Sequence, residues 1–222
     1  MKIKEITDAI EAYAPLSLQE GYDNSGFQVG NPEAEATGAL LCVDVTEEII
    51  AEAVAKGANL IISHHPLLFR GVKCVIGRNR SERALMAAIR SGVTIYSSHT
   101  AMDSASEGVS KRMASMLQLS EVEVLVPSAP GRNTGLGAVG NLPEVLTPMQ
   151  LAERVKKVFG CGCVRMSRPV DAEAPCINRV ALCGWCSRRI YSRCHRRRSS
   201  GVCDCRLQIK PVFGLYFGHS AG

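Results

Sequence analysis

Ala58-Asn59-Leu60-Ile61-Ile62-Ser63-His64-His65-Pro66 is the stretch that decides the fold. Leu60-Ile61-Ile62 is short, apolar and rich in β-branched residues, the pattern of a strand buried on both faces in a parallel sheet. In open α/β sheets, ligands sit just beyond the carboxyl ends of the strands. Two neutral imidazoles at such an end are natural metal ligands. The chain has only five histidines, so two of them side by side at a strand end carry weight.

The flanking sequence alternates strand and helix. Ile3, Ile6, Ile10 and Tyr13 have helical spacing, closed by Pro15. A glycine-punctuated loop, Gly21-Tyr22-Asp23-Asn24-Ser25-Gly26, leads into Phe27-Gln28-Val29-Gly30. Leu40 to Val45 is a strand. Thr46 opens a helix that runs to about Lys56, with Gly57 as its C-cap. Arg80 to Arg90 is a helix ended by Ser91-Gly92. Val93-Thr94-Ile95-Tyr96 is a strand that ends at Ser97-Ser98-His99, and Gly108 to Leu117 is helical. This is the pattern of βαβ units. Pro127 to Arg132 is a Pro/Gly-rich break and a candidate boundary. Beyond it, Gly135 to Gly140 is a strand, Thr147 caps a helix to Phe159 with Pro148 at its first position, and Val164-Arg165-Met166 and Asn178 to Leu182 are strands.

The expected fold is therefore α/β: a mostly parallel sheet with flanking helices in residues 1–126, then a smaller α+β domain in 127–183. Residues 184–222 form a Cys/Arg-rich tail, expected to be disordered or non-native. Charge is uneven: net −2 through Gly184 and net +7 after it, for an overall +5. The basic balance describes the tail and is no argument for a nucleic-acid surface on the body. No apolar run reaches 18 residues, and the start, Met1-Lys2-Ile3-Lys4-Glu5, is not a signal peptide. A cytoplasmic protein without a membrane partner is expected.

The second strand end supplies His99-Thr100-Ala101-Met102-Asp103. Two strand ends thus bring His64, His65, His99 and Asp103 to one edge of one sheet. Three imidazoles and a carboxylate suit Zn, Mn, Fe, Co or Ni. Successive strand residues face opposite ways, so His64 and His65 converge only if the chain turns there, or else serve different ions. Pro66 holds His65 extended and favours the turn. A carboxylate between two ions can bridge them.

Asp23-Asn24-Ser25-Gly26-Phe27-Gln28-Val29-Gly30, Ser63-His64-His65-Pro66-Leu67 and His99-Thr100-Ala101-Met102-Asp103, followed by Gly108-Val109, resemble the dinuclear-metal-centre hexameric proteins commonly named GTP cyclohydrolase 1 type 2 homologues. The resemblance covers roughly residues 1–183. It implies a toroidal homo-hexamer with two metal ions per subunit and a hydrolase acting through metal-activated water on a small molecule. The family's ligands carry over to His64, His65 and Asp103. His99 lies beside or on the metals and is the candidate acid–base catalyst; Asp23 and Asn24 match a loop near the site. The family also uses a late His and Glu four residues apart. Here no Glu follows Glu173, and His219 is the remaining, weak, candidate ligand. One ion, or none, is then expected. A non-catalytic metal-binding or scaffold protein is the alternative.

Cys183 stands just before the tail, which holds Cys186, Cys194, Cys203 and Cys205 with His195. A zinc module that binds nucleic acid is one reading. A single-base frameshift near codon 184 is the stronger one. Dropping one base from Arg193 to Leu207 permits the codon-compatible reading D-A-I-A-A-G-A-Q-A-Y-V-T-A-D. That is an Ala-rich helix, a Gly cap and a strand, which the alternating architecture needs next.

Overall fold

Leu60 and Ile61 are both completely buried, on opposite faces of one sheet, and each face has its own helix cover. The computed structural model describes residues 1–164, 177–184 and 204–208. It divides into two compact units, Met1–Gly108 and Val109–Gly222. The Pro127–Arg132 break lies inside the second unit, where the chain turns from one strand into its antiparallel neighbour.

The first unit carries β1 (Gly26–Val29), β2 (Ala39–Cys42), β3 (Leu60–Ser63) and β4 (Thr94–Ser97) in the order β1-β4-β3-β2. β2, β3 and β4 are parallel; β1 is antiparallel to β4. Register places Ile61 beside Ile95, and Leu60 and Ile62 beside Thr94 and Tyr96. On the Ile61 face pack α2 (Glu47–Ala55) and α3 (Arg80–Ser91), through Ile50, Ala53, Leu85 and Ala88. On the Leu60–Tyr96 face packs α1 (Ile3–Tyr13), through Ile3, Ile6 and Ile10. Each fully buried Leu or Ile contributes roughly 1.5–3 kcal/mol. The helices begin where their caps dictate: Thr46 Oγ1 accepts the Ile49 N–H, and Asn79 Oδ1 accepts the Glu82 N–H at 2.9 Å. Gly92 ends α3 in the left-handed region. β2 ends at Cys42, earlier than the apolar run to Val45 suggests. Among the described residues, no helix is long and apolar enough to cross a membrane.

In the second unit, α5 (Val109–Met116) and α6 (Pro148–Val158) pack on a sheet of β5 (Ser120–Pro127), β6 (Gly135–Leu146), β7 (Ile177–Cys183) and β8 (Asp204–Gln208). Met113, Leu117, Leu151 and Val155 meet Ala138, Val180 and Leu182. Thr147 and Gln150 cap α6 reciprocally. β5, β6 and β7 are antiparallel, and β8 adds parallel to β7. A strand within the tail differs from the expected lack of regular structure there: β7 offers an unpaired edge, and Asp204–Gln208 fills it. The rest of the tail, with Cys186, Cys194, His195, Cys203 and His219, lies outside the described residues, as do Arg165 and Met166.

α4 (Thr100–Ser104) is a short helix that starts directly after His99.

Gly30 follows β1 at φ +111°, and a Cβ there would sit 2.5 Å from the Thr94 Cα. Gly57 also has positive φ, +70°, but among the described residues nothing lies within 4 Å of a Cβ there. Gly30→Ala should therefore destabilise the first unit by about 3 kcal/mol or more, and Gly57→Ala by about 1 kcal/mol. Urea unfolding of both variants checks this; equal losses would contradict it.

Candidate metal centre

The two adjacent imidazoles reach one point because the chain bends after β3. His64 N–H and His65 N–H still bond the Cys42 and Val43 carbonyls, at 3.1 and 2.9 Å, continuing the ladder with β2. Ser63 Oγ then donates to the His65 carbonyl at 2.9 Å, and it lies 2.7 Å from Ser97 Oγ. The bend brings the two ring centroids within 4.9 Å. His99, reached from the end of β4, lies 5.1 and 5.4 Å from them. One ligating nitrogen from each of the three rings falls within 4.8 Å of the others.

Each imidazole is held at Nδ1. His64 Nδ1 donates to the Ser98 carbonyl at 3.2 Å. His65 Nδ1 donates to Asp44 Oδ1 at 2.7 Å, and His99 Nδ1 to Asp23 Oδ1 at 2.8 Å. In the neutral ring this fixes the tautomer whose lone pair is on Nε2, the arrangement in which ligating histidines are oriented by outer carboxylates and carbonyls. Asp44 was not among the residues expected at the site. Its signal was position: it follows β2 at the same edge of the sheet.

Asp103 comes from α4. Its side chain is 3% exposed, and Oδ2 lies 4.0 Å from His64 Nε2. Among the described residues, no hydrogen-bond partner reaches that oxygen. A buried carboxylate oxygen left unpaired is costly. Burial, against the pull of His99 and His65, pushes the Asp103 carboxyl up to about 6.

Asp23 is equally buried, yet shifts the other way. Burial alone would raise it, but bonds from His99, the Thr100 hydroxyl and N–H, and Ser25 hold it well below the usual carboxylate range. It orients His99 from behind. Asn24 turns away: its Nδ2 donates to the Leu68 carbonyl at 2.7 Å and so fixes the chain just after the histidine pair. Burial, with the neighbouring His65 and His99, lowers His64 to about 4. The bond to Asp44 raises His65 against its own burial.

The donor set fits a divalent cation. Three oriented imidazoles converge, and an unpartnered buried carboxylate oxygen stands beside them. His219 lies outside the described residues.

Residues 1–198 match the family model described as Duf34/NIF3 (NGG1p interacting factor 3). A GTP cyclohydrolase 1 type 2 homolog of Lactococcus lactis is 33% identical over 199 residues, 90% of this chain and 75% of that protein. A protein of the same name from Streptomyces coelicolor is 36% identical over 213 residues, 95% of this chain and 74% of that one. The crystal structure of the Staphylococcus aureus hypothetical protein SA1388 superimposes with a TM-score of 0.80 at 23% identity, over 95% of this chain and 80% of that one, a likeness of fold.

Burial pushes the folded Asp103 carboxyl up to about 6, above the ordinary value of about 3.9 that it has when unfolded. Its burial in the metal-free protein therefore costs little at pH 4, and the cost grows as pH rises through 6. Asp103→Asn should match the metal-free parent at pH 4 and exceed it by about 1–3 kcal/mol at pH 7.5. Denaturant unfolding after chelation reads this; a difference independent of pH would contradict it.

Proposed function

This chain belongs to the Duf34/NIF3 family, and on that premise we propose that His64, His65, His99 and Asp103 hold a divalent metal ion as the reactive centre of a hydrolase. The observation that carries the reading is the pairing of three Nδ1-anchored imidazoles with the one buried carboxylate oxygen that, among the described residues, lacks a hydrogen-bond partner. Mixed imidazole and carboxylate donors suit Zn, Mn, Fe, Co or Ni. When bound, such an ion lowers the pKa of a water and polarises a carbonyl or phosphoryl oxygen.

The chain's own residues do the rest. Asp44, Asp23 and the Ser98 carbonyl keep the rings oriented. His64 stays neutral at pH 7 because it is buried, as a ligand must be. The grouping of His99 with the other two rings favours it as a third ligand over the separate acid–base role expected from its position in the sequence. The described donors suffice for one ion, and we take one tightly held ion per chain as the stoichiometry, against two implied by the resemblance. Self-association into a ring and a cytoplasmic location go with this reading.

We also propose that the sequence after about residue 183 is out of frame. The abrupt change to a Cys/Arg-rich composition supports it. So does the position of β8, which pairs with β7 where the alternative frame reads V-T-A.

Metal analysis of purified protein should give close to one ion per chain, and two ions resistant to dialysis would contradict the stoichiometry. His65→Ala should lose the ion, and Asp44→Asn should weaken metal affinity about 10–100-fold. Metal-dependent hydrolysis that vanishes in His65→Ala would support a catalytic centre. Loss of metal with no turnover in the parent would favour the scaffold reading. Sequencing the gene across codons 180–190 tests the frame; an intact frame, with a protein mass matching all 222 residues, rules the frameshift out.

A further inference from the structure

Pro66 is followed by a loop, residues 67–79, whose two ends are tied down separately. At its start, Leu68 donates its N–H to Gln28 Oε1 at 3.1 Å and accepts from Asn24 Nδ2 at 2.7 Å. At its end, Glu82 accepts from the N–H groups of Ile76 and Arg78, at 3.2 and 2.9 Å, and from Asn79 Nδ2 at 2.8 Å. Between these anchors the loop frames a cavity of about 470 Å³, within the range that takes small organic ligands.

The lining is of two kinds. Leu67, Leu68 and Phe69 are apolar; Arg70 and Lys73 are cationic. Among the described residues, neither cation is in an ion pair. Glu82 is the one carboxylate of the lining, and its oxygens are taken up by the loop N–H groups and Asn79. With two cations against a single carboxylate, which is turned to the loop's own N–H groups, the lining keeps a net positive charge for a ligand. Phe69 connects it to the imidazoles: its ring centroid lies 6.2 Å from His99, edge-on, and 6.4 Å from Tyr22.

We propose that this cavity is the substrate-recognition site of the centre, and that it takes a phosphate monoester with an aromatic or apolar body. The inference rests on the reading of the imidazole cluster as a reactive metal centre. The organic part lies on Leu67, Leu68 and Phe69, and the phosphate on Arg70 and Lys73, where two cations match a dianion. Phe69 is the lining residue whose ring also meets His99. The organic part is thus what the site brings to the imidazoles, and the phosphate is a handle.

Calorimetric titration of the purified full chain with phenyl phosphate, inorganic phosphate and benzoate tests this. Phenyl phosphate should bind at least tenfold more tightly than either of the others. Arg70→Gln with Lys73→Gln should weaken it at least tenfold and leave metal content unchanged. Equal binding of inorganic phosphate, or an undiminished affinity in the double variant, would overturn the proposal. His65→Ala separates it from the metal reading: phenyl phosphate binding should persist within a fewfold after the ion is lost. If binding disappears with the metal but survives the loss of both cations, the ligand sits on the ion and the cavity has no such role. A readout needing no variant is Cys74, an exposed free thiol in the cavity wall. Phenyl phosphate should slow its alkylation by iodoacetamide, followed peptide by peptide in a mass spectrometer. An unchanged rate at saturating phenyl phosphate also overturns the proposal.

Discussion

Ser63 and Ser97 stand opposite each other at the matched ends of two parallel strands, and their hydroxyls meet at 2.7 Å in a fully enclosed position. A parallel sheet in register brings the two strand ends level, and small polar side chains there let both chains depart at the same height. Ser63 uses the remaining hydrogen-bond capacity of its hydroxyl to draw back the His65 carbonyl. That contact defeats the strand alternation that would have sent His64 and His65 to opposite faces. The Ile61–Ile95 pairing beneath it sets the register, so the burial of apolar side chains governs where the imidazoles stand.

Two buried aspartates show how the surroundings can hold one carboxylate ionised and push another up. Asp23 is surrounded by donors and stays ionised, which makes it a fixed anchor for His99. Asp103 faces the same cluster with an oxygen that no described residue hydrogen-bonds, and its carboxyl is pushed up by burial. A cation beside the imidazoles would satisfy that oxygen. Asp44 works more gently from a more exposed position, through a single bond to His65.

Much of the first unit was legible because its signals are local. β-branched strands, Thr46 and Asn79 as caps, and Gly92 as a helix stop each act over a few residues. The convergence of His64, His65, His99 and Asp103 followed from one rule, that parallel strands end at one edge. The same rule reaches Asp44, but a single acidic residue after a strand is indistinguishable from an ordinary loop residue until its neighbour in the sheet is known. The antiparallel direction of β1 was not legible, since four residues between glycines carry no information on orientation. β5 was absent from the sequence expectations although Val122, Val124 and Val126 alternate with Glu121, Glu123 and Leu125. Asp23 was expected near the site and stands behind it, because a loop aspartate can face a ligand or a neighbouring imidazole with the same local sequence.

The central claim is that three imidazoles and a carboxylate from the two strand ends form one metal centre. X-ray absorption at the edge of the bound metal, on protein loaded with zinc, tests it most directly. The account predicts a first shell of nitrogen and oxygen at about 2.0–2.1 Å, with outer scattering from three imidazole rings. Sulfur at about 2.3 Å, or fewer than three imidazoles, would place the metal elsewhere in the chain and contradict it.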